Sequence, residues 1–272
     1  VVRNSQRIVQ GIFKYYLLKK PDHFSLFLRV LGDCLPASET GTKVNQVYLK
    51  HLGALLKIVA NSSKIKNIVC PQFLLIPQIS KLVMRSKIIL GSQDCHHKIS
   101  GSFTGDSSLE LLKHFHCRYV ILGHSERRIC HYENNMMVRK KVDFVLANKL
   151  NPIVCVGESL KERQNGKYLE TISKQLDECL PEKLKSIVIA YEPVWSIGSG
   201  STPTFKEISE INDYTNNFLC KQKKIQKVSF LYGGSVNSKN FFDIMNHCNV
   251  NGALIGGSSI KFDEINKILL YA

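Results

Sequence analysis

Short apolar runs recur along the chain, and each is followed by a turn rich in glycine or polar residues. The runs are largely continuous, which is typical of parallel strands that are buried on both faces. Seven such strand candidates follow one another: Asn67–Cys70, Lys87–Leu90, Tyr119–Leu122, Pro152–Val156, Ser186–Ala190, Val228–Leu231 and Ala253–Ile255.

Longer amphipathic stretches separate these runs. Residues 134–149 and 204–221 carry apolar side chains at helical spacing, and 238–248 opens with Ser238 as the expected N-cap of a further helix. Strands that alternate with helices at this rhythm predict βα units and a parallel sheet. Seven units fit either an open doubly wound sheet or an eight-unit barrel.

An eighth strand is needed in front of the helical segment Val47–Ala60 to complete a barrel. Phe24–Leu31 is the most apolar candidate, and a poorer one lies near Glu39–Lys43. We therefore predict an α/β protein, a (β/α)8 barrel that forms a single domain over residues 24–272. Residues 1–23 are basic with no acid before Asp22, and we expect an irregular extension there: a targeting segment, an upstream extension or a mis-assigned start.

Composition narrows the possible partners. Of 272 residues, 44% are hydrophobic and 22% charged, which is typical of a globular protein. The net charge of +15 suits a lysine-rich surface or an anionic substrate, and the basic residues are spread along the chain without a nucleic-acid-binding motif, so no nucleic-acid partner is expected. No apolar run reaches the roughly 20 residues of a membrane span, so no membrane partner is expected. Nine unpatterned cysteines favour a reducing, cytoplasmic location.

Chemistry in such a barrel belongs at the carboxyl ends of the strands. Glu192 directly follows a buried strand and precedes Pro193, which makes it a candidate general base. The glycine-containing stretch Ser196–Gly200 after it is typical of a mobile lid. His124 follows another strand, and a helix that starts there would keep its imidazole neutral and able to donate a hydrogen bond.

Two glycine-rich turns follow the last two strands. They are Tyr232–Val236 and Gly256–Ser259, at the position where barrels bind phosphate through backbone N–H groups. Either turn alone is a weak signal, because glycine pairs are common in turns. Together they predict a small phosphorylated substrate.

These segments resemble the triosephosphate isomerases. The matching pieces occur in the family's order: Gln93-Asp94-Cys95, Gly101–Gly105, GHSERR at 123–128, Cys155–Glu158, AYEPVWSIGSG at 190–200, YGGSV at 232–236 and GG at 256–257. The resemblance implies a glycolytic and gluconeogenic aldose–ketose isomerase that interconverts dihydroxyacetone phosphate and glyceraldehyde 3-phosphate through an enediolate, with no metal and no cofactor. It also implies a homodimer, because Gln93–Gly105 resembles the family's interdigitating dimer loop.

The resemblance assigns roles to individual residues. It implies that Glu192 is the base, that His124 polarises the carbonyl and that Glu126 supports the site. Phosphate binding falls to four further residues: Gly198, Ser235, Gly256 and Gly257.

The family's Asn-x-Lys motif at the end of the first strand is not intact here. Its nearest match is Gly41–Asn45, which makes Lys43 the expected substrate-binding cation. A rival alignment places Gly32–Leu35 there and supplies no lysine. Because losing a preorganised charge at an oxyanion costs roughly 3–4 kcal/mol, a catalytically impaired homologue that binds sugar phosphates or a protein partner is the alternative function.

Overall fold

Eight parallel strands form a closed barrel in chain order. The computed structural model describes residues 25–29, 65–197 and 202–271. The strands are β1 Ser25–Arg29, β2 Lys66–Cys70, β3 Ile89–Ser92, β4 Tyr119–Leu122, β5 Asn151–Val156, β6 Ser186–Tyr191, β7 Lys227–Tyr232 and β8 Gly252–Ile255. The predicted (β/α)8 barrel is confirmed, and each of the seven strand candidates overlaps an observed strand.

The first strand comes from the more apolar of the two candidates. Strand β1 lies within Phe24–Leu31 and closes the barrel, with Ser25 in register with Lys66 of β2 on one side and Gly252 of β8 on the other. The rival segment Glu39–Lys43, the predicted helix Val47–Ala60 and the extension 1–23 all lie outside the described residues.

Helices cover the outside of the barrel. They are α1 Ile76–Val83, α2 Leu109–His114, α3 Ser125–Cys130, α4 Asn135–Ala147, α5 Leu160–Gln164, α6 Tyr168–Cys179, α7 Phe205–Lys221, α8 Phe241–His247 and α9 Phe262–Tyr271. Short 3-10 turns occupy Phe73–Leu75, Val194–Ser196 and Gly257–Ile260. None of the described helices is long and apolar enough to cross a bilayer.

Two apolar cores result from the alternation of side chains along each strand. Ile68 and Cys70 join a cluster built from strand residues alone, which fills the barrel interior, whereas Val69 between them belongs to the larger cluster under the helices. Ile172 and Leu176 of α6 are fully buried in that outer cluster, and each contributes roughly 1.5–3 kcal/mol by leaving water.

Helix boundaries agree with the sequence prediction at two places and differ at one. Helices α4 and α7 fall within 134–149 and 204–221, and the Thr204 side chain caps α7. The prediction that Ser238 is an N-cap is wrong, because α8 starts at Phe241 and the Ser238 hydroxyl donates to Glu264 instead. The side-chain oxygen of Asn237 accepts backbone N–H groups two and three residues later and stabilises the turn before α8, whose own N-cap, Asn240, makes no side-chain cap hydrogen bond.

Candidate active site

Strands β4 and β6 bring the two predicted working residues into contact. Glu192 directly follows the last residue of β6, and His124 lies two residues beyond the end of β4. Nε2 of His124 lies 2.8 Å from Oε1 of Glu192. The other carboxylate oxygen, Oε2, accepts the backbone N–H of Ser125 at 2.9 Å. Both side chains are buried, with Glu192 only 1% exposed. A buried carboxylate and an imidazole at this distance can exchange protons with one small substrate.

The hydrogen bonds of His124 select its tautomer. His124 is the N-cap of α3, and its Nδ1 accepts the backbone N–H of Glu126 at 3.3 Å. Since a backbone N–H can only donate, Nδ1 carries no proton, and the neutral ring bears its proton on Nε2, which faces Glu192. The predicted helix start at His124 is therefore present, and it leaves the ring as a donor toward the site.

Glu126 reaches the site mainly through its backbone. Its carboxylate Oε2 lies 3.9 Å from Nδ1 of His124, and its side chain is about half exposed to solvent. The backbone N–H that it supplies to His124 is the closer contact.

A buried carboxylate anchors the start of the lid segment. Glu158 follows β5, is fully buried, and accepts hydrogen bonds from the Tyr191 hydroxyl at 3.0 Å and the Trp195 indole at 2.9 Å. Burial raises the pKa of Glu158, against the opposing hydrogen bond from Trp195. The backbone of Val194 also donates to the Glu158 carbonyl at 3.0 Å. No role for Glu158 was predicted, although a carboxylate two residues after a buried strand is a signal for one.

A close backbone contact fixes the position of Glu192. A side chain at Gly157 would place its Cβ 1.8 Å from the Glu192 carbonyl oxygen, so only glycine fits. The Gln175 side-chain amide accepts from the Gly157 N–H at 2.8 Å and donates to the Gly157 carbonyl at 3.0 Å. The backbone that packs against Glu192 is therefore held by two further hydrogen bonds.

The two glycine-rich turns meet at the same end of the barrel. The Ser258 hydroxyl donates to the carbonyl of Val236 at 2.6 Å, which ties the turn after β8 to the turn after β7. The Ser235 hydroxyl donates to the Ser196 carbonyl at 2.7 Å and links the turn after β7 to the start of the lid. Gly256 and Gly257 begin the 3-10 turn beside them, and a methyl group at Gly257 would meet no atom within 4 Å.

Four charged side chains form a network beside α3, of which three are buried and the fourth, Arg127 of α3 itself, is partly exposed. Nζ of Lys141 lies 2.8 Å from Asp94 and 2.6 Å from Glu133, and Arg127 contacts the same two carboxylates at 3.0 and 2.7 Å. Burial raises the pKa of Asp94, with the charge of Lys141 acting against it. This network joins the loop after β3 to the helix that His124 caps. The network was not predicted from the sequence, because its members come from separate segments.

Two predicted site residues, Lys43 and Gly198, lie outside the described residues. Within the described ranges, no group of three or more His, Cys, Asp or Glu side chains is placed to hold a metal ion. His124 and Glu192 are in direct contact, and Ser235 is hydrogen-bonded to the start of the lid.

Comparison with known proteins gives one consistent result. The sequence model of the triosephosphate isomerase family matches residues 41–272, a range that includes Lys43 and begins after β1. A triosephosphate isomerase from Vesicomyosocius okutanii is 40% identical over 211 residues, 75% of this chain and 85% of the relative. One from Amoebophilus asiaticus is 40% identical over 210 residues, 74% and 83%. The crystal structure of triosephosphate isomerase from Bartonella henselae superimposes with a TM-score of 0.77 at 31% identity, covering 92% of this chain and 98% of that one.

Proposed function

This chain belongs to the triosephosphate isomerase family, and from that premise we propose how its residues divide the work of the family reaction. The reaction interconverts dihydroxyacetone phosphate and glyceraldehyde 3-phosphate by moving a proton between neighbouring carbons. The observation that carries the assignment is the 2.8 Å contact between Nε2 of His124 and Oε1 of Glu192 at the carboxyl end of the barrel.

Glu192 acts as the general base. It takes the proton from one carbon and returns it to the next, while the Nε2–H of His124 donates to the carbonyl oxygen as negative charge develops there. A positioned general base contributes about 10²–10⁴ in rate, and a preorganised donor at an oxyanion contributes a similar factor. Both groups lie in a buried site, where such interactions are stronger than in water.

Substrate binding must separate the two side chains. A carbonyl oxygen that accepts the Nε2 proton takes the place of Oε1 of Glu192, which now lies 2.8 Å from that nitrogen. The carboxylate therefore moves away from His124, and from the Ser125 N–H, when substrate enters. Its new position faces the substrate carbon, as proton abstraction requires.

The phosphate group is bound by the paired glycine turns. Backbone N–H groups near Gly256 and Gly257 and in the Ser235 turn would hold it, and Gly198 of the predicted lid would add a further backbone contact, because small residues let the backbone approach an anion closely. Lys43, which lies within the family match, supplies the cation near the substrate oxygens. Closure of Ser196–Gly200 would exclude water from the enediolate.

A homodimer is part of the same proposal. The loop Gln93–Gly105 exposes Ile99, and its Phe103 ring stacks on His96 with 3.8 Å between ring centroids. An apolar side chain on a long, ordered loop suits insertion into a partner. We further place this single domain, residues 24–272, in the cytoplasm, where cysteines stay reduced; all eight that the structure describes are free.

A coupled assay of both directions of the interconversion tests the function. The wild-type chain should turn over both triose phosphates, and Glu192→Gln should lose about 10²–10⁴ in kcat, because the amide cannot accept the proton. Glu182→Gln, an exposed carboxylate in a turn, is the matched control and should keep full activity.

Five results would each count against a part of the proposal. Folded wild-type protein without turnover, or Glu192→Gln with normal turnover, would refute the assignment of the base. Tight binding of a phosphorylated enediolate analogue without turnover would instead indicate an impaired homologue. Lys43→Ala with unchanged kcat and KM would remove Lys43 from the site. Sedimentation equilibrium that shows only monomers at assay concentrations would contradict the dimer.

A further inference from the structure

The end of the barrel opposite the active site is strongly basic. In a βα barrel every turn from a helix to the next strand lies at the amino-terminal end of the strands, whereas Glu192 and His124 lie at the carboxyl end. Five exposed cations stand at or just before the starts of strands: Lys66, Lys87, Arg118, Lys185 and Lys227. They come from segments that are far apart in the sequence and reach the same end only through the fold.

Four more exposed cations lie within the turns themselves: Arg85, Lys149, Lys183 and Lys224. These four and the five at the strand starts are called the basic end. Three of the turn lysines have left-handed backbone conformations, with φ of 60°, 60° and 56°.

A left-handed backbone is costly for lysine. Glycine or asparagine is the usual residue at such a position after a helix, because a side chain with a Cβ meets steric strain there. Left-handed residues occur in five successive turns of this kind: His116 before β4, the three lysines before β5, β6 and β7, and Asn249 before β8. The left-handed conformation therefore belongs to the way these helices end, and at three of the five turns the residue that adopts it is a lysine.

Few negative charges offset the basic end. Among the six turns that lead from a helix into β3 to β8, the single acidic residue is Glu182. No ion pair is formed by any of the nine cations with an acid in the described part of the chain, whereas the neighbouring buried Lys223 does pair, with Asp177 at 2.7 Å. Unpaired cations gathered on one surface create a positive field that attracts anions.

Exposed apolar side chains lie next to these cations. Met84 is 60% exposed and Leu82 is 44% exposed at the end of α1, immediately before Arg85. The aromatic rings in the six turns are Phe115, which packs against the core, and the exposed imidazole of His116, so these turns do not present a row of rings for base stacking. Cations beside protruding apolar side chains are the combination that binds at the surface of an anionic bilayer.

We propose that the basic end docks the protein onto the surface of a bilayer that contains anionic phospholipids. A flat anionic surface can meet all the turns at once, whereas a nucleic-acid strand would meet only a stripe of them. In this orientation the active site faces away from the lipid. No spanning helix is needed, so the absence of a long apolar run does not conflict with this mode of binding.

Cosedimentation of the full chain with vesicles tests the proposal. Vesicles of phosphatidylcholine mixed with phosphatidylserine should pellet the protein, vesicles of phosphatidylcholine alone should not, and raised salt should release it. The variant Lys149→Asn/Lys183→Asn/Lys224→Asn removes three charges and introduces asparagine, which tolerates the left-handed backbone. It should bind the anionic vesicles about 100-fold more weakly than wild type. The matched control Lys161→Gln/Lys174→Gln/Lys206→Gln removes equal charge from exposed positions on α5, α6 and α7 and should retain most binding.

The outcomes distinguish the membrane-docking proposal from the proposed catalytic function. Wild-type protein that does not pellet with anionic vesicles at physiological salt would overturn it, as would equal losses in the two triple variants. Binding to a single-stranded oligonucleotide but not to vesicles would show that this face binds nucleic acid instead. Isomerase activity should be the same in both variants and in vesicle-bound protein, so a catalytic failure would be recognised independently.

Discussion

Gly157→Ala should damage catalysis without touching a catalytic side chain. The added Cβ would lie 1.8 Å from the Glu192 carbonyl oxygen, whereas Cβ atoms essentially never approach other atoms within 3.0 Å. One of the two backbones must therefore retreat by about 1.2 Å, the difference between these distances. Gln175 holds the Gly157 backbone through two hydrogen bonds, so we expect the displacement to fall mainly on Glu192.

The size of the effect follows from that displacement. Misplacing a reacting group by roughly 1 Å can cost about 10²-fold, so kcat/KM should fall by about 100-fold. Overpacking should also lower the free energy of unfolding by about 1–3 kcal/mol. Steady-state kinetics in the coupled assay measure the first quantity, and urea unfolding followed by circular dichroism measures the second.

Two further variants make the prediction specific. Gly166→Ala has open space around the new methyl group but a φ of 70°, so it should lose about 1 kcal/mol of stability and keep its activity. Adding Gln175→Ala to Gly157→Ala should restore part of kcat, because residue 157 can then retreat in place of Glu192. An unchanged kcat/KM in folded Gly157→Ala, or no recovery in the double variant, would refute the reasoning.

Three other predictions concern the supporting contacts. Lys141→Met leaves Asp94 and Glu133 buried without their shared ammonium and should reduce the free energy of unfolding by about 3–5 kcal/mol in urea titrations. Burial acts to raise the pKa of Glu133, but the hydrogen bond and charge of Lys141 lower that pKa below 4.5. The ionised carboxylate therefore stabilises the fold, and the free energy of unfolding that Glu133→Gln loses should be largest above pH 4.5 and should shrink as the pH falls. Ser235→Ala removes the hydroxyl that donates to Ser196 and should lower kcat/KM about 5–10-fold, from a net hydrogen-bond energy of about 1 kcal/mol, in the coupled assay.

Each of these has an outcome that would contradict it. Asp143→Ala breaks an exposed ion pair and should cost less than about 1 kcal/mol, so an equal loss in Lys141→Met would argue against a buried network. A stability gap between wild type and Glu133→Gln that is constant from neutral to acid pH would contradict the lowered pKa. Ser235→Thr retains the hydroxyl, and a loss as large as that of Ser235→Ala would show that the hydrogen bond is not the cause.

Much of the barrel could be predicted from local pattern. The strands from β2 to β8 are continuous apolar runs because both of their faces are buried, and this signal does not depend on knowing the neighbours. The turn at Ser238 could not be predicted in the same way. Serine is a good N-cap in general, but here Glu264, which follows β8 in the chain, captures its hydroxyl. A distant partner overrides a local preference that amounts to about 1 kcal/mol.

The candidate site likewise has a part that local sequence indicates and a part that only tertiary contacts reveal. Glu192 and His124 stand out in the sequence because each follows an apolar strand and begins a distinctive turn. The sequence also shows that small residues follow β7 and β8, where a phosphate would bind. It does not show that Gly157 supports Glu192, or that Glu158 anchors the lid, because both contacts join residues more than 30 positions apart.

The sequence by itself therefore determined the positions of seven strands, the two candidate working residues and the expected type of substrate, since each is indicated by short segments read alone. The tertiary structure decided how close Glu192 and His124 lie, which charged side chains meet beside α3, and that lysines from separate segments lie at one end of the barrel. These properties depend on where separate segments meet. The closed barrel brings these segments together, because the amino-terminal ends of all its parallel strands lie at one end and the carboxyl ends lie at the other.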